Sequence, residues 1–381
     1  MLEKETILFV VESGSLEYTI PGGVQVCTEE LIRYFRLTSF NLEIFPVKTT
    51  RRLRDRIKIK LGIDVYNSFD FASLASEICS LLHKSNISLV ALNQIVFAPV
   101  IPLVRAKMKR KISFVGLSHG NESGDFLHES DIQPIVKLWK LGKQILAEKK
   151  FYSEYLDGVV VISEHEVGVD QWLGATNVFV LPRMLERKAL YWQPKPGRVG
   201  FVGTLNHGPN LKGLSSILNA LQLQGFSGEV RIVGGPRETG ELIAQEYSCA
   251  SYLGKLSNEA LEEEASTWCI FLNPVFWYSR GSSTKLAQGL NWALPCLTTP
   301  AGRRGYLLAD ETIVVPSHDP AHFAKAISFY SQDHSALQRL YSSVEMNLSA
   351  FDAASIARDF EQFLRNTEKC QISTLPATSV Y

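Results

Sequence analysis

Short runs that are apolar on both faces alternate along this chain with stretches of helical period, and the alternation occurs in two separate series. Thr6-Ile-Leu-Phe-Val-Val11 opens the first series. A strand with no polar face must be covered on both sides, which is the condition of a strand inside a parallel sheet. A Gly/Pro loop follows, Ile20-Pro-Gly-Gly-Val24, and then an amphipathic stretch over residues 25–37. Strands are expected at 42–47, 88–92, 112–117 and 158–162, and helices at 71–83, up to about 109, and over 131–155. Strands alternating with helices imply a doubly wound α/β sheet.

The pattern breaks between Leu181 and Arg198, where Pro182, Pro194 and Pro196 sit among charged and aromatic residues. A second series begins at 199–203 and continues with helix 211–221, strand 229–233, helix 240–246, strand 251–253 and helix 258–266. Strands at 268–272, 296–298 and 312–315 follow, with a helix carrying Lys285 between the first two, and two helices at 320–330 and from 335 to about 365 close the series. The expected organisation is an N-terminal domain (1–185), a linker (186–198), a second domain (199–350), a final helix (351–367) and a disordered tail (368–381). Two such domains facing one another place the carboxyl ends of both sheets around a cleft, where open α/β sheets bind ligands.

Composition narrows the function classes. Lys+Arg and Asp+Glu each total 39, which argues against a dedicated nucleic-acid binder. Six cysteines are scattered without CxxC spacing and read as reduced core residues of a cytosolic protein, with no zinc site or disulfide framework. Charged Glu3-Lys4-Glu5 leads directly into the first strand, so no signal peptide is expected. The most apolar stretch, 87–104, is interrupted by Asn93, Gln94, Pro99 and Pro102 and reads as a buried strand and short helix, not a membrane span. HExxH, a Walker lysine motif and paired DxD are absent, and no GxGxxG follows the first strand, which disfavours a nicotinamide fold.

Three polar loops at strand ends carry the chemistry. Gly281-Ser-Ser-Thr-Lys285 runs from a loop into a helix. A helix N-terminus presents unpaired N–H groups and partial positive charge, so Gly281, Ser282, Ser283, Thr284 and Lys285 form a candidate phosphate site, with Gln288 one turn on. The run Ser118-His119-Gly-Asn-Glu-Ser-Gly-Asp125 ends a buried strand: His119 can donate to a hydroxyl or developing charge, and Glu122 and Asp125 can orient acceptor hydroxyls. Thr204-Leu-Asn-His-Gly-Pro-Asn-Leu-Lys-Gly213 ends another strand, where Lys212 can reach phosphate or be a solvated surface lysine. Glycines before a helix (Gly22, Gly23) or after a strand (Gly203, Gly234, and Gly254 ahead of Lys255 and Leu256) let backbone approach a base and a diphosphate. Two basic runs, Lys48–Lys60 and Arg105–Lys111, are solvated faces, or contacts with anionic lipid headgroups or an anionic acceptor.

With these pieces placed, the chain resembles retaining glycosyltransferases of GT-B fold, family 4 type (glycosyl transferases group 1), over nearly its whole length. The resemblance is strongest from Val199 to Tyr306, through Phe201-Val-Gly-Thr204 with Pro209-Asn210, Tyr252-Leu-Gly-Lys-Leu256, Gly281-Ser-Ser-Thr-Lys-Leu-Ala-Gln288, Pro295-Cys-Leu-Thr-Thr299 and Gly302-Arg-Arg-Gly305. Val161-Ile-Ser163 and Val180-Leu-Pro182 carry it in the first series. It implies a nucleotide-diphosphate sugar donor of UDP or GDP type, a glycan, lipid-linked or small-molecule acceptor, and a role in polysaccharide biosynthesis. It also implies retention. No metal is needed if cations and the helix end carry the charge, no other cofactor is expected, and the expected place is the cytoplasm, at or near the inner membrane face. It places Gly22 and Gly23 near the diphosphate, His119 at the sugar, and the last helix back on the N-terminal domain. Two glutamates eight positions apart are common in the family; Arg280 and Gln288 stand there, and Thr204 stands for the family's arginine. Lys285 and Arg280 are therefore expected to stabilise the leaving diphosphate. The missing acidic pair keeps two alternatives open: a GT-B nucleotide-sugar epimerase, and a catalytically silent glycan- or partner-binding subunit.

Overall fold

A computed structural model describes residues 5–17, 22–49, 66, 69–127, 134–278 and 281–370. The chain divides into two compact units, Met1–Pro182 with Asp352–Tyr381, and Arg183–Phe351.

The first unit is built on a parallel sheet of six strands: β1 (Thr6–Glu12), β2 (Asn41–Val47), β3 (Ile87–Asn93), β4 (Ser113–Leu117), β5 (Gly158–Val161) and β6 (Val178–Val180), in spatial order β2-β1-β3-β4-β5-β6. Ile7 to Val11 are all buried, as their unbroken apolar run requires. The connecting helices are α1 (Gly23–Leu37), α2 (Phe71–Lys84), α3 (Val100–Lys107), α4 (Glu122–Leu127), α5 (Pro134–Lys150) and α6 (Glu164–Trp172). A turn of π type, Phe151–Tyr155, continues α5.

The second unit holds a five-stranded parallel sheet: β7 (Arg198–Val202), β8 (Glu229–Val233), β9 (Ala250–Gly254), β10 (Ile270–Asn273) and β11 (Cys296–Thr298), in order β11-β10-β7-β8-β9. Its helices are α7 (Gly208–Leu223), α8 (Arg237–Glu246), α9 (Asn258–Ala265), α10 (Thr284–Asn291), α11 (Pro320–Gln332) and α12 (His334–Ala350). Ser257, Asp319 and Asp333 accept backbone N–H groups at the starts of α9, α11 and α12, so their side chains fix where these helices begin.

Three expectations are revised. The single helix expected over 335–365 is broken at Phe351-Asp352 into α12 and α13 (Ala353–Cys370), because Asp352 caps a new helix through the Ser355 N–H. The helix α13 packs in the first unit: Phe360 meets Phe35 at 5.0 Å between ring centroids, and Thr367 accepts from Asn177 at 2.8 Å. Residues 186–198 belong to the second unit, where the N–H groups of Lys188, Leu190, Gln193 and Lys195 donate to carbonyls of residues 291, 292, 266 and 267. The strand expected at 312–315 is reduced to a bridge between Val314 and Thr298. Residues 371–381, most of the expected tail, lie outside the described residues.

Candidate functional site

In the second unit β7 comes first in sequence yet lies between β8 and β10, so the connections leave its two sides in opposite directions. A crevice opens at the carboxyl ends of the strands at such a point. The residues there are Gly203 and Thr204 after β7, and Asn273 at the end of β10.

Asn273 is buried and organises this edge. Its amide donates to the Thr298 hydroxyl (2.8 Å) and the Gly302 carbonyl (3.2 Å), while its oxygen accepts from the Ser283 hydroxyl (2.7 Å). The Ser283 side chain therefore does not cap α10, as its position suggests; it moors the start of that helix to β10. Tyr306 adds a second tether, donating to the Ser283 carbonyl and accepting from the Ala287 N–H. The positive end of the α10 dipole is thus aimed from the crevice edge.

Lys285 lies in the first turn of α10. Its Nζ donates to Asn210 Oδ1 (2.5 Å) and stands 5.6 Å from the centre of the Phe201 ring, while the Asn210 amide donates to the Thr204 carbonyl (2.9 Å). Among the described residues no carboxylate pairs with Lys285. Burial, reinforced by the neighbouring Arg304 guanidinium, pushes its pKa down to about 8. Arg304 is itself buried, and donates to the carbonyls of Gly281 (2.6 Å) and Ala301 (2.5 Å). Its neighbour Arg303 faces outward to Glu311 at 3.1 Å. Two cations held beside a helix N-terminus make a site for an anion.

Of the residues expected here, Gly203, Thr204, Gly281, Ser282, Ser283, Thr284 and Lys285 converge on this edge. Gln288 is half-buried in the next turn of α10, and Gly234 ends β8. Lys212 is exposed on α7 with its ammonium 5.7 Å from the Trp277 ring. Lys255 is exposed and its stem runs over Gly235, while Leu256 packs on the core. Arg280 lies outside the described residues. Arg304 and Asn273 were missed; a lone amide ending an apolar strand was the available signal for Asn273, but nothing in Gly302-Arg-Arg-Gly305 tells which arginine turns inward.

In the first unit the sheet order reverses between β1 and β3. Asn93 ends β3, donates its amide to the Thr28 hydroxyl (2.9 Å) and turns its oxygen to His119 Nε2 (2.8 Å). With the amide so assigned, Nε2 carries a proton and the imidazole is held in one orientation. Glu122 opens the short helix α4, which also contains Asp125, whose side chain lies outside the description. The carboxylates that shape this loop are others. Glu166 accepts the Asn121 N–H (2.9 Å), and Glu148 accepts the Ser123 N–H (3.0 Å) and the Tyr66 hydroxyl (2.7 Å). Asp170 is buried beside Glu166, Tyr152 and Asn121. Gly22 and Gly23 open α1, where Gln25 accepts the Gly22 N–H (3.1 Å) and donates to the Gly14 carbonyl (3.2 Å).

Burial, aided by Glu166, raises the Asp170 carboxyl to about 7 from its ordinary 3.8. Between those values the folded protein holds a proton that the unfolded chain releases, so this stability is complete below about pH 4 and is lost as pH rises through 7. Asp170→Asn keeps the shape and removes the ionisation. Denaturant unfolding is expected to show the variant about 2 kcal/mol more stable than the parent at about pH 8, and close to it at about pH 4. An equal difference at both values would remove Asp170 titration from the account.

Residues 196–333 match the family model described as Glycosyl transferases group 1. No curated protein sequence matches the chain significantly. Among solved structures, a sucrose-phosphate synthase from Thermosynechococcus elongatus is similar at a TM-score of 0.72 and 16% identity, covering 96% of this chain and 100% of the other. A glycosyltransferase from Rickettsia africae ESF-5 is similar at 0.63 and 13%, covering 96% and 99%. The apo lipopolysaccharide outer core galactosyltransferase WaaB is similar at 0.55 and 14%, covering 97% and 100%. The fold is that of GT-B glycosyltransferases. Together with the family match this supports glycosyltransferase activity of GT-B type.

Proposed function

We propose that this chain moves a sugar from a nucleoside-diphosphate donor of UDP or GDP type to a hydroxyl of a glycan, lipid-linked or small-molecule acceptor, with retention of configuration. The observation that carries the reading is the pairing of Lys285 and Arg304 beside the α10 N-terminus at the strand-order reversal, inside the segment that matches the glycosyltransferase family. Negative charge grows on the diphosphate as the glycosidic bond breaks, and fixed cations with aligned N–H groups stabilise it without reorganising. Lys285 and the N–H groups of α10 meet the phosphates, and Arg304 holds the loop and adds charge. Arg280 supplies a further cation, and Gln288 accepts or donates at a ribose hydroxyl. The backbone after β7, β8 and β9 takes the base. The first unit binds the acceptor, with His119 oriented by Asn93 to hold the sugar or the attacking hydroxyl. This charge distribution needs no metal, and the protein works in the cytoplasm in polysaccharide assembly.

The test is nucleotide release from a panel of UDP- and GDP-sugars by the purified protein, with and without acceptor extracts and EDTA. Acceptor-dependent release that persists in EDTA is expected. Conversion of the donor without acceptor would move the protein to the epimerases. Nucleotide binding without turnover would make it a silent subunit, and no nucleotide binding at all would end the reading.

A further inference from the structure

The helix α5 presents an apolar stripe to solvent where a surface helix ordinarily presents charge. Ile135, Leu138, Trp139 and Leu146 are 82%, 67%, 54% and 65% exposed. At 3.6 residues per turn these four and Gly142 fall within a stripe about 100° wide. The opposite face is the one packed into the unit: Glu148 is fully buried there and Ala147 lies against the core, while Ile145 at the edge of the stripe is already packed. The stripe is therefore not a misplaced core face, because the core face is already occupied.

Charge defines what the stripe can meet. The segment Pro-Ile-Val-Lys-Leu-Trp-Lys-Leu-Gly-Lys-Gln-Ile-Leu-Ala-Glu-Lys-Lys carries lysines at 137, 140, 143, 149 and 150, and its one carboxylate, Glu148, is inside. Lys143 and Lys150 flank the stripe on one side, and Lys149 falls within it beside Gly142; the Lys143 ammonium stands 5.0 Å from the Trp139 ring. Long lysine stems can lie along an apolar boundary with their ammonium groups in the polar layer, and tryptophan settles at the same depth. A second copy of this helix would bring lysines against lysines, which disfavours self-pairing. No helix among the described residues is long and apolar enough to cross a membrane, and α5 has its other face in the protein, so it can only lie on a surface.

We infer that α5 docks this protein onto an anionic lipid surface, with Ile135, Leu138, Trp139 and Leu146 entering the headgroup boundary and the flanking lysines meeting lipid phosphates. The basic run 105–111, read from sequence as a membrane contact, is partly spent within the protein: Arg105 forms a two-point contact with Asp157 at 2.9–3.0 Å, Arg110 donates to the carbonyls of Leu82 and Ser85, and Lys107 donates to Ser76. Of the run 48–60 only residues 48 and 49 are described. The inference stands apart from the proposed sugar transfer, since neither Lys285 nor His119 enters it.

Flotation of the full chain with vesicles of phosphatidylcholine alone, or with added phosphatidylglycerol, tests it. Binding to the anionic vesicles is expected, at least tenfold weaker on neutral ones and weakened by salt. The pair Leu138→Ser and Trp139→Ser is expected to lower binding at least tenfold, and Lys143→Gln with Lys149→Gln to lower it on anionic vesicles alone. All four are surface residues, so thermal unfolding and nucleotide affinity should stay unchanged and report folding separately. Equal binding to both vesicle types, no binding to either, or a dimer dissolved by the serine pair would each overturn the inference.

Discussion

Lys285→Ala is expected to weaken binding of UDP or GDP by about 1–3 kcal/mol, roughly 5- to 150-fold, measured by calorimetry near pH 7. The magnitude is that of one charge-assisted hydrogen bond at a half-buried site. The free protein already carries the cost of keeping this ammonium charged near Arg304, and a diphosphate relieves it. The same physics gives a pH signature. In the free protein Lys285 ionises at about 8, below its ordinary 10.5. Binding above pH 8 must therefore take up a proton, and affinity should fall by up to tenfold per pH unit, while the alanine variant stays nearly flat. Phosphate ionisation does not confuse the reading, since its last pKa lies near 6. Stability runs the other way: the unfolded chain holds the proton up to about 10.5, so the parent gains stability between pH 8 and 10.5 and the variant loses that slope. Unchanged affinity with a flat profile in both proteins would take Lys285 out of the site.

The period of the apolar runs made the two parallel sheets readable, because a strand buried on both faces has no other way to look. The strand order was not readable, since each crossover can place the next strand on either side, and with it the meeting of β7 and β10 stayed hidden. Lys285 and the 281–284 turn were legible because helix N-termini are marked locally. Arg304 was not, because its orientation depends on contacts with Gly281 and Ala301, distant or backbone features that no spacing encodes. Glu148, Glu166 and Asp170 look in sequence like the solvated acids of ordinary helices. Only tertiary packing turns them inward to accept N–H groups of the 119–124 loop or to face Asn121. Asp352 was a missed signal, an ordinary capping residue inside a run that otherwise reads as one helix. Glycines at the strand ends were read as openings for a ligand, while two others nearby, Gly200 and Gly213, answer to packing. A Cβ on Gly200 would lie 1.9 Å from the Trp268 ring, and one on Gly213 would lie 1.9 Å from the Pro274 carbonyl oxygen.

Gly234→Ala should destabilise the second unit by at least about 3 kcal/mol, the largest effect expected of any single methyl group in the site. Two independent causes combine. The residue sits at φ +145°, which L side chains rarely adopt, and a Cβ there would fall 1.8 Å from the Gly203 carbonyl oxygen. The obstacle is backbone, so no rotamer change can relieve it. Gly203 donates to the Val233 carbonyl and Gly234 to the Gly254 carbonyl, each at 2.9 Å, so the ends of β7, β8 and β9 are joined through three glycines in a row. A shift at Gly234 therefore passes to Gly203 and Thr204, whose carbonyl holds the Asn210 amide that in turn meets Lys285. The loss should appear both as a lower denaturant midpoint and as weaker nucleotide binding under conditions where the variant remains folded. Gly208→Ala is the matched control: that glycine is exposed in the first turn of α7 with open space where its Cβ would go, and the change should stay within about 0.5 kcal/mol. If Gly234→Ala behaved like the control, the glycine at this strand end would serve ligand approach and not the joining of the sheet.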